Sequence, residues 1–317
     1  MTGTHKITIQ NKRVHYQFEV HRNITIIKGD SATGKTTLVE MIEEYMNEGA
    51  NSRITLSCDK KCNVIAGNTW QGQLSEITDS IVFVDEGNSF VYTDEFAQVI
   101  KNTDNYYVIV SREGLPNLPY SVEEVYGIKH SGKYGSLEQS YNEFYQIYSV
   151  ENQSTEDYPC MIVTEDSNSG FQFYTNLCKN KDIECMTADG KSNIISILSD
   201  NIDKEKILVV ADGAAFGAEM DRIIKLEDMQ GNFKLFLPES FEWLLLSSGL
   251  FKEKEIRNIL DTPGDYIESK DYFSWERFFT DVLTKHTKDT FLNYNKSKLN
   301  EAYLNDKCIK YVSDIIF

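Results

Sequence analysis

Residues 29–36 read Gly-Asp-Ser-Ala-Thr-Gly-Lys-Thr, a complete G-x-x-x-x-G-K-[ST] pattern. These residue types suit one task, the cradling of phosphate. Gly29 and Gly34 let the backbone turn tightly, so that the N–H groups of Asp30, Ser31, Ala32 and Thr33 can approach anionic oxygens. A helix beginning near Lys35 would aim its positive dipole end at the same anion. Lys35 would reach the β- and γ-phosphates, and Thr36, with Thr37 beside it, would hold Mg²⁺. The plainer reading is a glycine-rich loop that only turns the chain. The context argues against it: Ile24, Ile26 and Ile27 form a β-branched run before the loop, and Leu38, Val39, Met41 and Ile42 have helical spacing after it.

A second element completes such a site. Ile81-Val82-Phe83-Val84 is a continuous apolar run that ends in Asp85-Glu86, and it suits a central parallel strand buried on both faces. Asp85 follows Lys35 by 50 residues. Asp85 would join the Mg²⁺ shell, and Glu86 would orient and polarise an attacking water. A third run, Tyr106-Tyr107-Val108-Ile109-Val110, ends at Ser111-Arg112. Ser111 sits where a polar strand tip could sense a γ-phosphate, and Arg112 could bring positive charge to it in cis or to a neighbouring subunit. A solvated strand end explains both residues equally well.

Together these segments resemble the P-loop ATPases that use a catalytic glutamate, with Walker A at Gly29–Thr36 and Walker B ending in Asp85-Glu86. The resemblance implies ATP and Mg²⁺ as ligands. A guanine-specific Asn-Lys-x-Asp is absent, since 180–183 and 295–298 both fail at the fourth position. Asp261-Thr262-Pro263-Gly264 matches a Asp-x-x-Gly switch but lies far beyond the other elements and reads as a helix-ending turn. The signature Leu-Ser-Gly-Gly of transporter ATPases is also absent, which leaves a compact ATPase core.

From Cys160 the pattern restarts. Strands are expected at 160–164, 183–187, 207–211 and 233–237. Helices are expected at 168–179 (apolar face Phe171, Tyr174, Leu177 and Cys178), 190–198 and 214–226. This alternation predicts a second, doubly wound parallel sheet, Rossmann-like, with ligands at the carboxyl ends of its strands. Glu165, the turn at 189–191, Asp212 and Glu239 fall on that edge. The arrangement resembles a Toprim domain, the metal-binding module of topoisomerases, primases and the OLD-type nucleases. Glu165 in Val163-Thr164-Glu165 matches the family's strand-ending glutamate. Asp212-Gly213-Ala214-Ala215-Phe216-Gly217 matches its Asp-x-Asp-x-x-Gly at the first Asp and the last Gly, but Ala214 replaces the second Asp. Gly190-Lys191 and the order of the two domains are also similar to OLD-type proteins, although this chain is much more compact. The resemblance implies catalytic and metal-binding roles for Glu165 and Asp212, with Asp166, Glu239 or Glu242 as substitutes for the absent acid. An Mg²⁺-dependent nuclease-type domain, a degenerate non-catalytic version and an unrelated α/β domain all remain open readings.

These readings divide the chain into an ATPase domain at 1–150, a linker at 149–158, a Toprim-like domain at 159–240 and a C-terminal helical cap at 241–317. The cap is expected to hold helices at 239–249, 253–260, 274–287 and 296–304, packed on the second domain. The net charge is −17, divided −6 over residues 1–150 and −11 over 151–317, which disfavours a general binder of nucleic-acid backbone. A local site is left open: Arg277, Lys285, Lys288, Lys296 and Lys298 interleave with Phe291 and Tyr294, a pattern that also fits a solvated helical cap. A homo-oligomer or a protein partner is left open as well. The six cysteines contain no C-x-x-C pair. Cys58 and Cys62 could be half of a zinc site, but reduced thiols fit better. No run approaches ~18 apolar residues, and residues 1–6 lack the apolar core of a leader, so a cytoplasmic protein without a membrane span is expected. The expected function is an ATPase that regulates an Mg²⁺-dependent nucleic-acid activity, as in phage defence or a mobile element. The alternative is a nucleotide-dependent switch with a non-catalytic second domain. A small-molecule kinase would need an acceptor site that the sequence does not reveal.

Overall fold

The computed structural model describes residues 1–29, 33–131, 140–148, 159–179 and 181–317. Asp30, Ser31 and Ala32 of the glycine-rich loop, the stretch holding Gly132 and Gly135, and the expected linker at 149–158 lie outside the described residues. The chain divides into two compact α/β units. Unit 1 is Met1–Ser149 with Pro263–Phe273; unit 2 is Val150–Thr262 with Ser274–Phe317. The segment Pro263–Phe273 thus interrupts the helical region at 241–317 and joins the first unit. Among the described residues no helix is long and apolar enough to cross a membrane.

Unit 1 opens on a hairpin of β1 (His5–Gln10) and β2 (Val14–Val20). Its turn is closed by Asn11, whose Oδ1 accepts the N–H groups of Arg13 and Val14 at 2.8 and 3.0 Å. There follow β3 (Ile24–Lys28), α1 (Lys35–Glu48), β4 (Thr55–Ser57), β5 (Lys61–Val64), α2 (Trp70–Ser75) and β6 (Ser80–Val84). Then come α3 (Asp94–Ile100), β7 (Tyr106–Val110), β8 (Val125–Ser131) and β9 (Ser140–Gln146). Among the described residues these strands form one mixed sheet in the order β4-β1-β2-β9-β8-β3-β7-β6-β5. Its half from β8 to β5 is parallel throughout. β3, β6 and β7 are buried along their whole length, as their largely apolar runs predict. α1 lays Leu38, Val39 and Ile42 on Ile27, Ile81, Phe83 and Val108 of that half. β9 pairs antiparallel to β8 and parallel to β2, joining the hairpin to the parallel half.

One buried acid fixes β3 to the segment before β8. Glu124 is fully buried and its Oε2 accepts the Thr25 hydroxyl at 2.8 Å, while His21 Nε2 lies 3.0 Å from Oε1 and Arg22 Nε 3.6 Å away. Burial alone would raise this carboxyl, but the His21, Arg22 and Thr25 contacts outweigh it and hold Glu124 below its ordinary value of 4.5.

In unit 2 the elements are β10 (Met161–Thr164), α4 (Ser169–Cys178), β11 (Glu184–Thr187), α5 (Ile194–Asp200), β12 (Ile207–Val210), α6 (Met220–Gln230) and β13 (Phe233–Phe236). Further on come α7 (Phe241–Ser247), α8 (Lys254–Asp261), α9 (Trp275–Thr287) and α10 (Asp306–Ile316). The sheet order is β11-β10-β12-β13 and every pairing is parallel. The chain therefore reverses its winding direction between β10 and β12, which opens a crevice at their carboxyl ends.

Within unit 2 the elements also depart from the sequence expectations. α4 buries Phe173 with Tyr174, Leu177 and Cys178, whereas Phe171 is only half-buried. The expected helix at 214–226 begins as two short 3₁₀ turns, Gly213–Ala215 and Gly217–Glu219, before α6. No helix spans 296–304, where only the 3₁₀ turn Glu301–Leu304 forms. α10 was not expected; Asn305 caps it by accepting the N–H groups of Lys307 and Cys308.

Glu124→Gln is predicted to destabilise unit 1 by about 3–5 kcal/mol at neutral pH, because the buried Arg22 loses its buried counter-charge. The folded-state value of Glu124 is depressed, so its contribution is present above pH 4.5 and is lost as the pH falls through the lowered value. Urea unfolding at several pH values should show the gap between wild type and variant closing in acid. A gap that stays constant or widens in acid would refute this role.

Candidate functional site

The glycine-rich loop leaves the carboxyl end of β3 and enters α1. Gly29 and Gly34 have φ of 134° and 90°, values that side chains strain to adopt. Gly34 is further constrained from behind. Tyr16 of β2 donates its hydroxyl to the Gly34 carbonyl at 2.9 Å, and a Cβ at Gly34 would lie 2.7 Å from that hydroxyl oxygen. Lys35 is buried, and its Nζ donates to the Gly29 carbonyl at 2.7 Å and the Thr33 hydroxyl at 3.1 Å. Thr36 and Thr37 are exposed on the first turn of α1.

β7 lies between β3 and β6 in the sheet, so the tips of all three strands meet at one edge. There the Thr36 hydroxyl donates to Asp85 Oδ1 at 3.4 Å. Burial pushes Asp85 above its ordinary value, while the Glu86 N–H, the Thr36 hydroxyl and Lys35 oppose the rise. Glu86 is paired with Arg112, Oε1 to Nε, at 2.5 Å. Ser111 is buried at the tip of β7; its hydroxyl donates to the Glu113 carbonyl at 2.8 Å and lies 3.2 Å from the Tyr92 hydroxyl. The structure therefore gathers Gly29, Gly34, Lys35, Thr36, Asp85, Glu86, Ser111 and Arg112 at one sheet edge. Two supporting residues escaped the sequence reading. Tyr16 braces Gly34, and Asn88 donates to the Asp85 carbonyl at 2.9 Å while its side-chain oxygen accepts the Gly67 N–H.

In unit 2, Glu165 follows β10 and Asp212 follows β12, one on each side of the crevice. Glu165 Oε2 accepts the Asp212 N–H at 3.1 Å, and Asp212 Oδ1 accepts the Phe241 N–H at 3.2 Å. Gly213 makes this arrangement sterically feasible: its N–H donates to the Pro238 carbonyl at 2.6 Å, and a Cβ there would lie 2.4 Å from the Leu237 carbonyl oxygen. Lys191 Nζ donates to the Ala215 carbonyl at 2.9 Å and ties the neighbouring loop to this turn.

The crevice holds a cavity of about 30 Å³, lined by Glu165, Asp166, Tyr174, Asp212, Glu242 and Lys296 among others. Glu242 of α7 is buried and accepts the Tyr294 hydroxyl at 2.7 Å; Ser169 lies 2.7 Å from the same hydroxyl. Lys296 Nζ pairs with Glu276 Oε1 at 2.5 Å. Burial pushes Glu165 up to about 7, with Glu276 and Asp166 adding to the rise and the Asp212 N–H and Lys191 opposing it. Burial also raises Asp212 well above its ordinary value, and Glu276, Glu165 and Glu242 add to that. Burial alone would lower Lys296, but Glu242 and Glu276 hold it well above its ordinary value.

Of the expected substitutes for the missing acid, Glu242 and Asp166 line the cavity. Asp166 is engaged with the Asn168 N–H and side chain at 3.2 and 2.8 Å, and Glu239 contributes its carbonyl to the Ala214 N–H. Among the described residues no three His, Cys, Asp or Glu side chains converge as a metal site, Cys58 and Cys62 included. Of the aromatic and basic residues of the cap, Tyr294 is buried and Lys296 faces the acids, Lys285 pairs with Asp281 at 3.3 Å, and Phe291 is exposed. Glu276, Lys296 and Tyr174 were not read from the sequence as one site. Comparison with protein-family models, with curated proteins and with solved structures found no match.

Gly34→Ala is predicted to destabilise unit 1 by about 1–3 kcal/mol through left-handed strain and collision with Tyr16. Adding Tyr16→Phe should recover the collision but not the strain. A double-mutant cycle by urea unfolding measures both, and strict additivity would contradict the collision.

Proposed function

We propose that unit 1 binds and hydrolyses ATP with Mg²⁺ as a P-loop ATPase, and that it regulates a Toprim-like, Mg²⁺-dependent activity on nucleic acid in unit 2. The observation that carries the first part is the approach of Thr36 to Asp85 at 3.4 Å beside Lys35. A hydroxyl and a carboxylate oxygen are the hard donors that Mg²⁺ takes, so the residues fit the ion. When bound there, the ion would neutralise charge on the β- and γ-phosphate oxygens.

The chain's own residues supply the rest. Backbone N–H groups at the first turn of α1 would serve the phosphates. Lys35 exchanges its contacts with the Gly29 carbonyl and the Thr33 hydroxyl for phosphate oxygens. Glu86 orients the attacking water and takes its proton, which requires it to separate from Arg112. Arg112 is then available for the γ-phosphate, and Ser111, at the tip of the intervening strand, contacts the same group. For unit 2, Glu165 and Asp212 flanking the switch-point crevice support the Toprim-like reading, with both carboxylates as candidate Mg²⁺ ligands.

Ala214 favours a second reading, a nucleotide-dependent switch whose unit 2 does no chemistry. Incubation of the protein with single- and double-stranded DNA and RNA and Mg²⁺ or Mn²⁺ separates the two. Cleavage that Glu165→Gln and Asp212→Asn both abolish supports catalysis; no cleavage in any substrate supports the switch.

Lys35→Ala is predicted to lower ATP turnover by on the order of 10²-fold or more while leaving the circular dichroism unchanged. Turnover retained at the wild-type rate would sink the ATPase assignment.

A further inference from the structure

Ser111 stands at the tip of β7, the strand between β3, which leads into the glycine-rich loop, and β6, which ends in the acids. Its N–H donates to the Ile27 carbonyl at 3.1 Å, which sets it directly beside the end of β3. The oxygens of a terminal phosphate only accept hydrogen bonds, so a side chain that reads one from this strand tip must donate. Ser111 has one side-chain proton to give, and it is already spent. The residue is 1% exposed, and its hydroxyl donates to the Glu113 carbonyl at 2.8 Å. The Tyr92 hydroxyl lies 3.2 Å from the same serine oxygen. With the Ser111 proton on the Glu113 carbonyl, Tyr92 is the donor in this pair.

The chain holds Tyr92 firmly at this place. It ends the 3₁₀ turn Ser89–Tyr92 and follows Glu86 by six residues. The Asn117 side chain donates to the Val91 and Thr93 carbonyls, each at 2.9 Å, and so grips the chain on both sides of Tyr92. Val91 is buried, and Phe90 stacks on Trp70 with ring centroids 5.1 Å apart. Tyr92 itself is 48% exposed. Its backbone is fixed while its ring stays at the surface, so the hydroxyl is placed in advance of any ligand. Exchange of the Ser111 oxygen for another acceptor leaves Ser111 with its bond to Glu113 and strands no buried proton.

We infer that Tyr92 supplies the proton of the γ-phosphate contact at the β7 tip, and that Ser111 takes part in that contact by positioning Tyr92. The inference rests on the reading of unit 1 as an ATP-binding site and adds to it a residue outside the three sequence motifs. On binding, Tyr92 exchanges a neutral acceptor, the Ser111 oxygen, for a charged one, and hydrogen bonds to charged acceptors are the stronger kind. A nucleoside diphosphate lacks that acceptor. Tyr92 therefore separates nucleoside triphosphates from diphosphates, whereas Lys35 and Thr36 serve phosphates that both kinds of ligand share.

The test is calorimetric titration of the full-length protein with ADP and with the non-hydrolysable AMP-PNP, each with Mg²⁺. The wild type is expected to bind both. Tyr92→Phe, which keeps the ring and removes the proton, should weaken AMP-PNP by about tenfold or more and leave ADP within about twofold. A purely structural role would weaken both nucleotides alike. Ser111→Ala should cost AMP-PNP less than Tyr92→Phe does, since Tyr92 keeps its own proton. Circular dichroism checks each fold, and Tyr92→Leu is the second variant if the first does not fold. If Tyr92→Phe binds AMP-PNP as the wild type does, or weakens ADP and AMP-PNP equally, the assignment of Tyr92 is overturned while the nucleotide site stands. A larger loss of AMP-PNP affinity in Ser111→Ala than in Tyr92→Phe overturns it in the same way. If the wild type binds neither nucleotide, the ATPase reading itself fails and the inference with it.

Discussion

A parallel strand buried on both faces can carry no chemistry along its length. Its backbone groups are spent on its neighbours, and its side chains are spent on packing. β3, β6 and β7 in unit 1 and β10 and β12 in unit 2 are strands of this kind, with no exposed residue in any of them. Polar function is forced to the strand ends, and parallel pairing puts those ends on one edge. Lys35, Thr36, Asp85 and Ser111 meet for this reason, and so do Glu165 and Asp212. Neither site requires its residues to be close in sequence; each requires only that the runs between them be apolar and in register.

The two edges differ in electrostatics. Unit 1 presents a flexible balance: Lys35 is satisfied by its own loop, and Glu86 by Arg112, through contacts that an anionic ligand can exchange. Unit 2 is a crowded, partly buried set of acids. Glu165 and Asp212 are both raised by burial and by neighbouring acids, and Lys296 is the ammonium that lines the same cavity. Such crowding is expensive without a counter-charge and is the arrangement found where a site is tuned rather than merely stabilised. The Tyr294 hydroxyl contacts both Glu242 of α7 and Ser169 of α4 beside the crevice and ties those two helices together.

Much of the fold was legible because it rests on local patterns. The apolar runs at 81–84, 106–110 and 207–210 and the β-branched run at 24–27 read as central strands, and Gly49 ends α1 where the periodicity stops. β9 was missed because Ser-Tyr-Asn-Glu-Phe-Tyr-Gln carries no clear alternation and is recruited by tertiary pairing with β8 and β2. α10 had a readable signal, an Asn305 cap followed by Cys308, Val312 and Ile316 at four-residue spacing. In the sites, motif residues were legible and their supports were not. Tyr16 braces Gly34 from a strand 18 residues earlier. Lys296 reaches the crevice only because α9 and the segment after it fold back on the sheet. No spacing in the sequence encodes that return.

One measurement bears on both edges at once. A crystal structure of the protein with a non-hydrolysable ATP analogue and Mn²⁺, with the metal located by its anomalous scattering, should show two kinds of site. One Mn²⁺ should lie between Thr36, Asp85 and the phosphates, with Lys35 turned from the Gly29 carbonyl to the nucleotide. Another should lie against Glu165 and Asp212 at the crevice of unit 2. Nucleotide bound elsewhere, or no Mn²⁺ within coordination distance of Glu165 and Asp212, would contradict the placement of chemistry at these two strand edges.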